Sequence, residues 1–360
     1  MELDVQRSPA TMRAWRTHEY GPPLEALRLD EVALPVPEAG EVRVRVLAIP
    51  LNLNDLERIT GGTMMVEPEL PFSPGMEVMG IVDACGGGTE AWLGRRVVAL
   101  PKGANGGFAE YAVCPVVATF DMPDSIPLPD AAALYFPFHL AWLGLVDRAD
   151  LQPGETVLVH AGAGGSGSAA IQLAVQRGAR VLATAGSDEK VALCRHLGAD
   201  VAVNYSTRDF TEVVLAATDD RGVDVVFDNV GEAVFEASLK CTAYNGRYLM
   251  MGFASNKRVA DEPFLVPRRV ALANVKLCGV LLAYATDDMA HLVKTAMGWN
   301  FPPGRLGEQI MREIVDLVEQ GQLHAVVGDV VAFEDIPEAI TAMAERRSTG
   351  RTIVMLDSDG

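Results

Sequence analysis

The chain is short of positive charge. Its 360 residues include 30 Lys and Arg against 48 Asp and Glu, which gives a formal net charge of -18 at pH 7. Nucleic acids and anionic membranes attract clustered Lys and Arg, and long basic runs are also missing. We therefore expect neither a nucleic acid nor a membrane surface as a partner.

Long apolar runs and paired cysteines are lacking as well. The richest apolar stretch, residues 277–285, is far shorter than the roughly 20 residues that a membrane helix needs. The first residues show no apolar core of a secretion signal. The five cysteines are scattered without a C-x-x-C pair, which favours reduced thiols. These absences predict a cytoplasmic protein.

Glycine, in contrast, is concentrated in one informative place. Gly162, Gly164 and Gly167 follow the order G-x-G-x-x-G. A short apolar segment precedes them, and a segment with helical apolar spacing follows up to about residue 178. A strand, a glycine turn and a helix form the context in which this motif cradles a pyrophosphate. The alternative is a plain glycine turn in an α/β domain, and the context favours the cradle.

The pattern of the chain changes near residue 138. From about residue 12 to 137, short apolar segments are cut by Pro and Gly, which predicts a small β-barrel or sandwich. From residue 139, apolar strands alternate with helical patterns, which predicts a doubly wound parallel sheet. The predicted fold class is therefore α/β, with a β-rich domain beside a dinucleotide-binding domain.

Nine segments of the chain together carry a family resemblance: MRAWRTHEYG, EVRVRV, PFSPGMEVMGIV, GGFAEYAV, LQPGETVLVHAGAGGSG, GARVLATAGSDEK, LGADVAVNY, RGVDVVFDNVG and EAITAMAERRSTGRTIV. Through them the chain resembles the medium-chain dehydrogenase/reductase superfamily, and within it the zinc-free quinone oxidoreductase (zeta-crystallin-like) branch. The resemblance implies a discontinuous GroES-like catalytic domain over residues 1–138 and 298–360, with a Rossmann domain over 139–297 between its parts.

The resemblance also bears on metal. Metal-using relatives hold a catalytic zinc with a Cys in an early loop and a His in a G-H-E motif. At the matching positions this chain has Asn52 and Met76, which are poor zinc ligands. The loop of four close cysteines that binds structural zinc in those relatives is missing too. We expect no metal.

The choice of nicotinamide cofactor depends on the end of the second strand of the dinucleotide fold. NAD-binding folds place an acid there, whereas the resemblance aligns Ala185 with that position. Ser187 and Lys190 follow it and suit a 2′-phosphate, and Tyr205 and Arg346 match positions that meet this phosphate in quinone reductases. The alternative is that these four are ordinary surface or strand-end residues.

We predict NADPH rather than NADH, although Asp188 and Glu189 beside Lys190 count mildly against a phosphate. The residues assigned to the cofactor are Gly162, Gly164, Gly165, Ser166, Gly167, Gly186, Ser187, Lys190, Tyr205, Asn229, Gly252 and Arg346.

The predicted chemistry is hydride transfer to a quinone or an α,β-unsaturated carbonyl. Without a metal to polarise a simple C–O bond, a conjugated acceptor that spreads the incoming charge is the easier substrate. Asn52 is the candidate polar contact near the acceptor, and its alternative role is that of a turn-forming residue. Glu57 stands where related reductases often carry a pocket tyrosine, which leaves the acceptor open.

Two other functions stay open. An enoyl-thioester reductase would share the fold and cofactor, and Arg268 and Arg269 are the only hint of a basic patch for its substrate. A non-catalytic NADPH-binding protein is the other.

Assembly is predicted from one apolar segment. Residues 271–282 favour a late strand at an edge of the cofactor-domain sheet, covered on both faces. The resemblance implies that this edge pairs with its twin in a homodimer. The alternative is a strand covered by its own chain.

Overall fold

The computed structural model describes residues 10–62, 68–252 and 265–356. The chain separates into two compact units, one of Met1–Asp124, Val331–Glu345 and Val354–Gly360, the other of Ser125–Val330 and Arg346–Ile353. The domain limits derived from the resemblance lie elsewhere, at 138/139 and 297/298, and stay a prediction. Residues 298–330, which that prediction gives to the catalytic domain, fall in the second unit.

The first unit is rich in β-structure, as its Pro- and Gly-cut segments predict. Its strands and helices are β1 (Thr11–Thr17), α1 (Pro23–Ala26), β2 (Leu27–Ala33), β3 (Glu41–Pro50), α2 (Leu53–Thr60), β4 (Val78–Cys85), β5 (Arg96–Ala99), β6 (Tyr111–Pro115) and β7 (Thr119–Asp121).

The central strand of this unit is β3. It pairs antiparallel with both β4 and β6. Val42, Val44 and Val46 alternate along β3 and are buried in the apolar core. Arg43, which lies between two of these valines, is buried as well, and its guanidinium binds both carboxylate oxygens of Asp83, at 3.0 and 2.8 Å. The alternation predicted the strand, but its partner strands determined how far it is covered.

The second unit alternates strands and helices. Its elements are α3 (Tyr135–Trp142), β8 (Thr156–Val159), α4 (Gly165–Gln176), β9 (Arg180–Ala185), α5 (Asp188–His196), β10 (Val201–Asn204), α6 (Phe210–Ala217), β11 (Val223–Asp228), α7 (Glu232–Lys240), β12 (Thr242–Met250), α8 (Pro267–Ala273), β13 (Lys276–Gly279), α9 (Asp287–Met297) and α10 (Gly304–Glu319).

The sheet of the second unit has the order β10-β9-β8-β11-β12-β13. Each neighbouring pair of strands in this order is parallel. This is the order 3-2-1-4-5-6 of a Rossmann fold, so the predicted fold class is confirmed. The strand order reverses between β8 and β11, and ligands bind such sheets at the carboxyl ends of the strands beside that point.

The last three elements of the chain are β14 (Val327–Ala332), α11 (Ile336–Ala344) and β15 (Arg351–Met355). α11 belongs to the first unit, and each of the two strands contains residues of both units. In the sheet of the first unit the order is β3-β4-β5-β7, with β6 also paired to β3. β1 and β2 form a separate antiparallel pair.

The predicted late strand is shorter than expected. Residues 271–273 belong to α8, and only Lys276–Gly279 form β13. Leu272 is 71% exposed and Leu281 is 41% exposed, so the expectation of full cover on both faces is wrong for this chain by itself. Residues 271–273 are helical rather than extended because Pro267 favours the first turn of a helix, and Asn274 ends that helix in a left-handed conformation. The expected edge position is confirmed, since β13 pairs with β12 at one end of the sheet.

Candidate functional site

The glycine turn lies between β8 and α4, at the point where the strand order reverses. Two of its glycines are required by the packing of the chain itself. A Cβ at Gly167 would overlap the carbonyl oxygen of Ala161, and one at Gly162 would lie 2.9 Å from the Cys194 sulfur and 3.1 Å from the Ala183 Cβ. Gly167 thus lets α4 lie close to the turn after β8, as the motif requires, and Gly162 lets β9 and α5 pack close to the same turn.

Gly164 has a different environment. Its Cβ would meet only the carbonyl oxygen of Ala161, at 3.4 Å. Gly164 is also the N-cap of α4 and has no side chain to bond the first N–H groups, which belong to Gly165, Ser166 and Gly167. The turn is thus tightly packed at Gly162 and Gly167, and it has free space at Gly164, where a phosphate would approach the helix N-terminus. This geometry fits the pyrophosphate of a dinucleotide.

The end of β9 carries the predicted specificity residues. Ala185 is buried, so no carboxylate stands at the position of the expected NAD acid. The Tyr205 hydroxyl lies above Gly186, where a Cβ would be 2.7 Å from its oxygen. Ser187 is the N-cap of α5 and accepts a hydrogen bond from the Lys190 N–H at 3.3 Å. Gly186 therefore leaves room for the tyrosine beside the start of α5.

Lys190 and Arg346 are brought together although 156 residues separate them. The Lys190 ammonium donates to the Arg346 carbonyl at 2.9 Å. Arg346 is exposed and has a positive φ of 59°. A few residues later, the Gly350 N–H donates to the Ala163 carbonyl at 2.8 Å, within the glycine turn. The segment from Arg346 to Gly350 thus lies along the cradle, which a local sequence pattern does not show.

Asn229 and Gly252 follow β11 and β12 on the other side of the reversal point. A Cβ at Gly252 would overlap the backbone of Asn229, so only glycine fits there. The Asn229 amide donates to the His160 carbonyl at 3.4 Å, just after β8. The predicted cofactor residues that follow β8, β9, β11 and β12 therefore all lie at the carboxyl ends of the strands.

A buried polar group beneath this edge was missed by sequence reasoning. It joins Asp228, Tyr248, Ser238, His160 and Thr184, all buried. Burial lowers the pKa of His160 to about 3, and it raises the pKa of Asp228 to about 6. The available signal was the position of His160 and Asp228, each a polar residue directly at the end of an apolar strand.

Asn52 lies in the first unit as the N-cap of α2. Its amide donates to the Pro50 carbonyl at 3.1 Å and to Glu77 at 3.2 Å. Its side chain accepts from the N–H of Asp55, whose carboxylate in turn accepts from the Asn52 N–H at 2.8 Å. Both amide hydrogens are therefore engaged within the unit. The predicted contact with the acceptor stays a prediction, and the geometry favours the capping role.

Comparisons with known proteins agree with this fold. Residues 38–124 match the family described as alcohol dehydrogenase GroES-like domain, and residues 165–297 match the zinc-binding dehydrogenase family. A quinone oxidoreductase-like protein 2 homolog of Nematostella vectensis is 32% identical, over 95% of this chain and 88% of its own length.

The chain belongs to the medium-chain dehydrogenase/reductase superfamily. Within it the chain is a quinone oxidoreductase-like protein, and it is an oxidoreductase. A mycobacterial protein solved with NADPH is 29% identical with a TM-score of 0.80, covering 96% of this chain and 99% of its own. A NAD-dependent alcohol dehydrogenase is 30% identical with a TM-score of 0.79, covering 96% and 100%. A nicotinamide cofactor fits the superfamily and the cradle, and these two structures leave open which one.

The superfamily includes zinc enzymes, yet the donors in this chain do not fit a catalytic zinc. Asn52 is engaged in capping α2, and Met76 is a buried thioether whose backbone N–H donates to Asp55 at 3.0 Å. Across residues 10–62, 68–252 and 265–356, no three His, Cys, Asp or Glu side chains are grouped to hold a metal ion. Over the same residues, no helix is both long and apolar enough to cross a membrane.

Proposed function

We propose that this chain is a zinc-independent, NADPH-dependent reductase of quinones or α,β-unsaturated carbonyls. The observation that carries the cofactor choice is the end of β9, where Ala185 offers no carboxylate and Lys190 lies beside Arg346. A carboxylate there would accept bonds from a free ribose 2′-hydroxyl and would repel a 2′-phosphate.

Four residues support a phosphate at this place. Tyr205 lies over Gly186, Ser187 begins α5, and the Lys190 ammonium lies at the Arg346 backbone. Two cationic side chains, two hydroxyls and the first turn of a helix suit a dianion. The Asp188 carboxylate opposes a phosphate less than a free carboxylate would, because one of its oxygens accepts a hydrogen bond from the Asn204 amide at 2.8 Å.

The bound nicotinamide would supply the hydride, and the residues of the chain would orient it. Asn229 and Gly252, beyond the reversal point, would hold the nicotinamide half, while the glycine turn would hold the pyrophosphate. Because the described residues offer no donor set for a catalytic zinc, the acceptor would itself accommodate the incoming charge, as a quinone or an enone does in its π-system. The names of quinone oxidoreductase relatives support this acceptor class.

A binding measurement tests the cofactor. We expect NADPH to bind at least about tenfold more tightly than NADH, a difference of about 1.4 kcal/mol. Titrations followed by nicotinamide fluorescence give both dissociation constants. Equal affinities would refute the NADPH assignment.

A turnover measurement tests the acceptor. NADPH oxidation is followed with quinones, enones and enoyl thioesters in parallel, before and after treatment with a chelator. We expect turnover with the first two classes, no loss with the chelator, and no stoichiometric zinc by elemental analysis. Turnover with none of the three classes would refute the proposed acceptor.

The structure weakens the one hint of a thioester substrate. Arg269 lies on α8 and its guanidinium donates to Glu236 at 2.8 Å, so half of the proposed basic patch is paired within the unit. Turnover with thioesters alone would nevertheless establish that alternative.

We also propose that the protein is a homodimer paired along β13. This strand is at the edge of the sheet. Leu272, which precedes it in the chain, and Leu281, which follows it, are exposed. Unpaired strand edges with apolar neighbours favour a second copy in an isologous contact. Light scattering at low micromolar concentration is expected to give twice the 38.5 kDa mass of the chain, and Val280→Glu is expected to halve it. A monomeric wild-type protein would contradict the pairing.

A further inference from the structure

The polar group beneath the cofactor edge forms one connected chain of side chains. The Tyr248 hydroxyl donates to Asp228 at 2.8 Å and is also hydrogen-bonded to Ser238. His160 bonds Ser238 through Nε2 at 2.7 Å and Thr184 through Nδ1 at 3.0 Å. We call these five residues the polar chain. It connects the ends of β8, β9, β11 and β12 with α7.

One end of the polar chain organises a loop. The same oxygen of Asp228 accepts from the N–H groups of Val230 and Gly231, at 2.7 and 2.9 Å. Gly231 has a φ of 100°, which a residue with a side chain rarely adopts. These bonds hold residues 229–231 in the conformation that brings the Asn229 amide to the His160 carbonyl.

Capping of α7 does not by itself account for a carboxylate at this depth. Asp228 is 2% exposed, and burial raises its pKa to about 6, although two N–H groups and a hydroxyl bond it. An exposed Asp or Ser caps a helix without that desolvation cost, as Asp209 does for α6. Asp228 is buried instead beneath residues 229–231, the loop that it holds, at the carboxyl ends of the strands.

The position of this loop in the dinucleotide fold indicates what it serves. The half of the sheet formed by β8, β9 and β10 receives the adenosine side of the cofactor, because the residue that contacts the 2′ position of the adenosine ribose follows β9. The other half, formed by β11, β12 and β13, therefore receives the nicotinamide side. Asn229 and Gly252 are on that half, and Asp228 fixes the backbone of the first.

We propose that Asp228, held by Tyr248, is a positioning residue for the nicotinamide half of the cofactor. This inference rests on the proposed cofactor site and adds a residue that touches no cofactor atom. It predicts that loss of the Asp228 oxygen weakens binding of the whole cofactor while a ligand that lacks nicotinamide binds as before.

The experiment compares two ligands in four variants. The ligands are NADPH and 2′-phospho-ADP-ribose, which has no nicotinamide ring. Asp228→Ala removes the oxygen that holds the loop, whereas Asp228→Asn keeps an oxygen for the two N–H groups. Tyr248→Phe removes the hydroxyl that donates to the second carboxylate oxygen and that is also hydrogen-bonded to Ser238. Thr218→Val is the matched control, because Thr218 is a buried hydroxyl that accepts from the Gly222 N–H at 3.0 Å, near the other end of β11.

We expect Asp228→Ala to weaken NADPH binding about tenfold, as for the loss of a bond to a charged group, and 2′-phospho-ADP-ribose binding by less than about twofold. Asp228→Asn is expected to recover most of the loss, and Thr218→Val to change neither ligand. Turnover should fall in Asp228→Ala at saturating NADPH as well, because the ring is misplaced rather than only loosely bound.

Equal weakening of both ligands, or of neither, would overturn the proposal. If Asp228→Ala does not fold, Tyr248→Phe decides it: an effect of about threefold on NADPH alone supports the role, and no effect contradicts it. Failure of the NADPH assignment is recognised separately, because the wild-type protein would then prefer NADH. The same comparison would be made with NADH and ADP-ribose.

Discussion

The two candidate sites of this protein differ in what their polar groups bind. In the first unit, Asn52, Asp55 and Glu77 are buried and bond one another or the nearby backbone. In the second unit, the glycine turn presents a helix N-terminus without a capping side chain and an open side at Gly164. A group of side chains that satisfies itself stabilises the fold, whereas backbone donors left open suit a ligand.

This contrast separates two predicted site residues that hold the same position in their helices. Asn52 and Gly164 both stand at N-caps, one of α2 and the other of α4. Asn52 uses its side chain to close its helix, and Gly164 leaves its helix open. The same position in a helix therefore supports opposite expectations for mutation.

The largest expected effect is at Gly167. A Cβ there would overlap the Ala161 carbonyl, so Gly167→Ala must move α4 away from the turn, and we expect a loss of about 3 kcal/mol or more in the free energy of unfolding. Denaturant unfolding measures it. Gly164→Ala is the contrasting variant, expected to change stability by less than about 1 kcal/mol yet to weaken NADPH binding at least tenfold. Equal stability losses in the two variants would contradict the distinction.

Acid provides the next effect, because the second unit buries two neutral histidines. Burial lowers the pKa values of His139 and His160 to about 3. Below pH 6.5 the unfolded chain binds protons on them and the folded chain does not, so stability falls with pH, by about 2 kcal/mol for each between pH 8 and 5. Asp228 acts oppositely, because its pKa is raised to about 6, and returns about 1 kcal/mol over that range.

The expected net loss between pH 8 and 5 is therefore about 3 kcal/mol, measured by unfolding at the two pH values. His160→Gln should reduce this pH dependence by about 2 kcal/mol, whatever its effect on stability at pH 8. A pH dependence that does not change in this variant would show that His160 is not held neutral by burial.

Lys190 tests the open site at its other end. Lys190→Ala is expected to reduce the preference for NADPH over NADH by about 1.4 kcal/mol while NADH affinity is kept. Fluorescence titrations with both cofactors measure it. Lys240 offers a control. It lies in the last turn of α7, in the same unit as Lys190 but away from β9. A similar loss in Lys240→Ala would point to general charge rather than a phosphate contact.

The smallest expected effect concerns the closed site. Asn52→Ala removes the cap of α2 and should lower the free energy of unfolding by about 1 kcal/mol. Asn52→Ser restores an accepting oxygen and should recover most of that loss with unchanged turnover. If Asn52→Ser instead abolishes turnover at full stability, Asn52 contacts the reacting groups as the resemblance implies.

Much of the second unit follows from local patterns. The apolar segments before and after each helix predict β8 to β12 and their alternating helices, because a parallel strand is covered on both faces and reads as a continuous apolar run. The glycine spacing predicts the turn, since a Cβ at Gly162 or Gly167 has no room. The same reasoning was wrong over residues 271–273, where helix-starting and helix-ending residues outweigh the apolar run.

By itself, then, the sequence determined the α/β class, the order of the elements and the cradle, because periodicity and glycine act over a few residues. Only the tertiary structure decided that Asn52 is bonded to Glu77, that Lys190 meets the backbone of Arg346, and that Asp228 is buried under the loop it holds. The first two bonds join residues 25 and 156 positions apart, and the buried Asp228 accepts from Tyr248, 20 positions away. Hydrogen bonding across such separations is set by how strands pair and helices pack, and no local pattern records it.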